Sequence, residues 1–147
     1  MRNTFYLISI ICFFSMNVIG INQNYIKTCI KRICFDARIA DNPMARSKGL
    51  MGEVGLPKDE GMLFIFPFES RPEFWMKNTK IPLDILFIND KDIIVYMVKN
   101  AQPCKTEKCP LYKTSRNASK VLEINGGLSK LYGFHVGNTV EYFIADE

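Results

Sequence analysis

The strongest constraint on the fold lies in residues 61–89, GMLFIFPFESRPEFWMKNTKIPLDILFIN, where two short runs are apolar at successive positions. Residues 62–66 and 83–88 leave no polar side for water, so as strands each must be covered on both faces. Between them Phe74-Trp75-Met76 passes directly into Lys77-Asn78-Thr79. A small-molecule pocket needs such adjacency, with bulky apolar walls beside a few fixed polar groups. The same residues also fit a plainer account, in which the aromatics are core and Asn78-Thr79 is a turn ahead of Pro82.

One charge interrupts the second run. If residues 83–88 form a strand, Asp84 shares a face with Leu86 and Ile88 and should be buried. A buried carboxylate needs partners, and Arg46, Lys77, Asn78, Thr79 and Lys80 are the candidates. Arg46 is the first choice, because its planar fork can hold a carboxylate through two parallel hydrogen bonds.

The remaining elements follow from periodicity and turn chemistry. Ile33, Phe35, Ala37 and Ile39 alternate with polar residues and predict a half-buried strand. Asn42-Pro43 is a helix start for a short helix to about Lys48, stopped by Gly49. Residues 89–92 read as a hairpin turn joining 83–88 to a partner at 93–98. Further strands are expected at 74–77, near 121–124 and at 139–144, with a short helix at 128–132. About seven short strands with two short helices predict a mainly β fold, an antiparallel β-sandwich or open barrel.

Residues 1–20 have the form of a secretory signal peptide, with Arg2, an apolar run at 5–14, and Val18 and Gly20 at a cleavage site. Residues 21–32 read as a polar leader, and 33–145 as one domain. The expected location is periplasmic or extracellular, with membrane contact only through the signal peptide before cleavage. The net charge of +4 does not suggest nucleic acid as a partner. Basic residues gather at 105–120, a solvated face or a surface for an envelope protein.

Export makes disulfides the natural use of Cys29, Cys34, Cys104 and Cys109. Cys104 and Cys109, flanked by Pro103 and Pro110, fit a bridge that closes a short loop. Cys29 and Cys34 would stand roughly 17 Å apart in extended chain, so their pairing requires a bend and stays open. Four intervening residues are more than a thiolate zinc site normally has. Met44, Met51, Met62 and Met76 are too irregularly spaced for a copper site, and no cofactor is implied. The motifs of common hydrolases, phosphate loops and zinc proteases are missing, and His135, the sole histidine, reads as structural.

The segments FWMKNT and PLDILFI, with Gly49-Leu50-Met51, Pro103-Cys104, Cys109-Pro110 and Val121-Leu122-Glu123, resemble the bacterial and archaeal family called domain of unknown function 192. The resemblance runs over residues 33–143 and implies a small, mainly β domain, often exported, with no established activity. Arg46, Gly49 and Met51 fall in its recurrent pattern. The residues themselves favour a binding module that holds a small polar or glycan-like ligand between Arg46, Trp75, Asn78, Thr79 and Asp84. The alternatives are a carboxylate-dependent hydrolase using Asp84 and Glu123, which would have to face a common cleft, and a structural partner of envelope proteins.

Overall fold

In the computed structural model, which describes residues 25–143, the first described element is a strand where a polar leader was expected. Strand β1 (Tyr25–Ile30) pairs antiparallel with β2 (Ile33–Ala40), and Thr28 and Ile30 are wholly buried. Leader status therefore does not hold for these residues. Lys31 and Arg32 join the strands with positive φ at both positions, 50° and 69°, as a two-residue hairpin turn demands. This turn is the bend that the first cysteine pair requires. It sets Cys29 opposite Cys34 in register, and the two are bridged. The expected signal peptide, residues 1–20, lies outside the described residues.

Helix α1 (Pro43–Lys48) starts as its sequence predicts. The Asn42 side chain accepts from the Ala45 amide at 2.9 Å, and Pro43 occupies the first turn, where its missing N–H is no loss. Gly49 ends the helix at φ 47°. A Cβ there would lie 3.3 Å from the Phe64 ring, so glycine serves both the turn and the close seating of the helix end on that ring.

There follow β3 (Glu60–Ser70), β4 (Glu73–Trp75), β5 (Leu83–Ile88), β6 (Ile94–Ala101), β7 (Leu111–Lys113), β8 (Ala118–Asn125), α2 (Leu128–Leu131) and β9 (Val140–Phe143). Seven strands form one sheet in the order β6-β5-β8-β3-β2-β1-β9, and β4 pairs with β7 in a separate ribbon. The sheet curls strongly into a half-barrel, which agrees with the mainly β, open-barrel expectation. One pair departs from it: β2 and β3 run parallel, joined through α1. At one end the sheet's two edges meet. Ile93 bridges Thr139, and the Val140 amide donates to the Asp92 carbonyl at 2.8 Å.

Each face of the sheet carries its own core. Ile30, Phe35, Leu63, Leu86, Ile94, Leu122 and Val140 belong to a cluster drawing on all seven strands, as the enclosed face of a curled sheet must. Met62, Phe64, Ile85, Phe87 and Val121 face the other way, under α1 and the β4-β7 ribbon. All six residues of β5 are buried, which is the double coverage its unbroken apolar run required.

The expected Cys104–Cys109 bridge is present and closes its short loop. The loop is also tied to the segment after β4: the Cys104 amide donates to the Met76 carbonyl at 3.1 Å, and the Asn78 amide to the Cys104 carbonyl at 3.2 Å. Peptide mapping of unreduced protein should recover Cys29 with Cys34 and Cys104 with Cys109. Serine at both positions of the second pair should cost about 2 kcal/mol, read by denaturant unfolding. A crossed pairing would refute this arrangement.

Candidate ligand-binding cleft

A cleft of about 490 Å³ opens on the second face, between α1, the middle of β3, and β4. That volume suits a small molecule. Phe64 and Phe66 alternate out of β3 toward it, and Phe74 and Trp75 come from β4. Phe74 stands edge-on to both Phe64 and Phe87, with ring centroids 5.0 and 5.7 Å apart, so the wall is packed as aromatic pairs prefer. Trp75 remains 46% exposed at the opening. Arg46 and Lys48 line it from α1.

Glu123 lies at the floor. Its place on β8 is opposite Met62 of β3 on one side and Ile85 of β5 on the other, so the carboxyl projects from an apolar face. The residue is 4% exposed and lines the cleft. No hydrogen-bond partner for its carboxyl is found among the described residues. Burial alone pushes its pKa from 4.5 up to about 8, so at neutral pH the group holds its proton. Thr79, also buried and lining the cleft, has its amide bonded to the Met76 carbonyl at 3.2 Å, and its hydroxyl has no partner among the described residues.

The structure separates the remaining candidates. Asn78 is an exposed turn residue with φ 58° and does not line the cleft; its carbonyl accepts from the Gly52 amide at 3.0 Å. Arg46 lines the cleft but does not bond Asp84. Its Nη1 donates to the carbonyls of Asp41 and Ile65 at 2.6 and 2.9 Å, and the guanidinium lies 5.2 Å over the Phe66 ring. Asp84 is buried as expected, but none of its five proposed partners reaches it. Its oxygens accept from the backbone amides of Asn100, Gly127 and Ser129 at 2.6, 2.9 and 2.7 Å. Two of those donors belong to the start of α2, where an anion is favoured.

The two carboxylates do not form a pair. Asp84 faces Ile124 and Glu123 faces Ile85 across neighbouring antiparallel strands, so they project from opposite faces of the sheet. That removes the geometry a two-carboxylate hydrolase requires. His135 is exposed and its ring sits 3.2 Å from Asn138. Among the described residues no group of three or more His, Cys, Asp or Glu side chains could hold a metal ion.

A curled, disulfide-bridged β domain with an aromatic cleft and a buried acid thus defines the class. The chain belongs to the domain-of-unknown-function 192 family (DUF192, described as an uncharacterized ACR), whose model matches residues 24–142. It is similar to a solved protein of unknown function from Novosphingobium aromaticivorans DSM 12444, with 32% identity over 80% of this chain and 83% of that one, at a TM-score of 0.72. It is also similar to a protein from Sinorhizobium meliloti 1021 solved as a candidate transcription regulator, with 30% identity over 80% of this chain and 92% of that one, at a TM-score of 0.73. No curated protein matches the chain.

Proposed function

We propose that the domain is a non-catalytic binding module, taking a small polar ligand into the cleft beneath α1. One observation carries this reading: the Glu123 carboxyl is buried, faces the cleft, and has no partner among the described residues. Its oxygens are not among the described polar atoms sealed from solvent without a partner, so they reach the open cleft, where a bound ligand can bond them. Trp75 at the opening offers a face for the flat side of a ligand, a sugar ring included. Chemistry that depends on paired carboxylates has no place in this geometry.

Two disulfides are stable in an oxidising compartment, and they support an exported location for the working protein. A thermal-shift screen of sugars, small acids, small amines and peptidoglycan fragments tests the binding reading, since a ligand of the native state raises the melting temperature by mass action. Trp75→Ala should weaken any ligand found by about 1 kcal/mol or more while changing stability little, because nearly half of the side chain is exposed. Affinity unchanged in Trp75→Ala and in Thr79→Val together would remove the cleft from the function.

A further inference from the structure

The cleft is polarised along its depth. Deep in its lining are groups that can attract a cation: the Glu123 carboxyl once it ionises, the rings of Phe64 and Phe74, and the Thr79 hydroxyl, which has no partner among the described residues. Aromatic faces attract cations, and the attraction grows when water is excluded. Its mouth carries the opposite character, through Arg46 and Lys48 on a helix that buries none of its residues. Only one nitrogen of Arg46 is bonded within the described residues, so the guanidinium keeps donors for an anion.

We infer that the cleft takes a small zwitterionic amine, its ammonium seated against the Glu123 carboxyl and the aromatic walls, its anionic end held at the mouth by Arg46 and Lys48. This rests on the binding reading above and narrows its ligand. Register supplies the length. Arg46 bonds the Ile65 carbonyl, Glu123 lies opposite Met62, and three residues of strand separate those levels by about 10 Å. An α-amino acid is too short to span that gap, whereas an amine and a carboxylate joined by several methylenes can approach both ends.

The proton follows from the same geometry. A neutral Glu123 meeting an ammonium gives its proton to solvent and becomes the carboxylate of an ion pair. The other charged groups on these elements are Arg46 and Lys48 on α1; Glu73 on β4, held by Lys113; Glu60 and Glu69 on β3, the latter accepting from the Asp90 amide; Asp36 and Arg38 on β2, held by Lys27 and by Glu53 at 2.9 Å; and Lys120 on β8, held by Asp92. The ribbon adds Tyr112, and β5 brings only Leu83, Ile85 and Phe87 to this face.

Titration calorimetry with 6-aminohexanoate, 6-hydroxyhexanoate and glucose, in two buffers of different ionisation enthalpy at pH 7, tests the inference. The aminoalkanoate should bind at least tenfold more tightly than its hydroxy analogue and release close to one proton. Glu123→Gln keeps the shape of the protonated acid and should fold. It should lose the proton release and at least tenfold in affinity for the amine. Binding of the hydroxy analogue or glucose as tight as that of the amine, or amine affinity unchanged in Glu123→Gln, would overturn the amine assignment and leave the binding reading standing. Failure of these probes while other compounds of the screen bind would do the same, and a screen in which nothing binds would overturn both.

Discussion

Replacing Asp84 with alanine should destabilise the domain by about 4 kcal/mol or more, a large share of the roughly 5 to 15 kcal/mol that holds a domain of this size. Three backbone amides lose their acceptor, the Ser129 amide in a buried bond and those of Asn100 and Gly127 in part-buried ones, and a stranded buried N–H costs about 1 to 3 kcal/mol. The donors come from three separate places, the end of β6, the turn before α2, and the first turn of α2 itself. One side chain thus ties the sheet's edge to the helix that covers its enclosed face. Asparagine should recover only part of the loss. All three partners donate, and a carboxamide presents one oxygen and one NH2 group, so at least one amide would face another donor. Urea unfolding should show a lower midpoint with an unchanged slope in both variants. A loss below about 1 kcal/mol for alanine would mean that these hydrogen bonds contribute little.

That residue also marks the boundary of what the sequence conveys. Burial of Asp84 was legible, because a carboxylate between Leu83 and Ile85 in a fully apolar strand must share a face with apolar neighbours. Its partners were not legible. Side-chain donors such as Arg46 announce themselves by residue type, but backbone amides are the same everywhere in sequence and become donors only when folding leaves them free at a helix start. Short local patterns read well for the same reason in reverse. The Asn42-Pro43 start, the Gly49 stop, the Cys104–Cys109 loop and the β5-β6 hairpin all depend on residues within a few positions of one another.

Long-range pairing was the harder part. Strand β1 carries a lysine, a threonine and a cysteine among its apolar residues and looks like leader sequence until β2 and β9 are placed on either side of it. The parallel pairing of β2 with β3 also depends on where the chain returns after α1, which no local pattern encodes. Within the cleft, Trp75, Thr79 and Arg46 were legible from the abrupt change of polarity at residues 74–79 and from the family pattern, whereas Asn78 belongs to the turn. Glu123 was visible only as half of a supposed pair. Its isolation between Leu122 and Ile124, one acid in an apolar strand, was the signal that could have found it, as it did for Asp84.

The contrast between these two acids leads to the second large effect, which concerns Glu123 and pH. Asp84 has three donors, and Glu123 has none among the described residues, so the fold accommodates Glu123 by keeping it protonated. Below pH 4.5 the folded and unfolded chains both hold this proton, and the residue exacts no penalty. As pH rises from 4.5 to about 8 the unfolded chain releases the proton while the folded chain retains it, so stability falls by about 1.4 kcal/mol for each pH unit. Above about 8 the folded protein ionises as well and the loss stops growing, at about 5 kcal/mol. Glutamine cannot ionise, and every other titrating group is common to both proteins, so the difference between wild type and Glu123→Gln isolates this residue. The two should be nearly equal in stability at pH 4, and the variant should be the more stable by about 4 to 5 kcal/mol at pH 8 to 9, measured by denaturant unfolding across that range. Curves that stay parallel from pH 4 to 9 would show that the carboxyl has a partner in solution. A position at which a single isosteric change raises stability this far is one where the native residue is retained against the interest of the fold. That is the pattern expected of a group kept for a ligand.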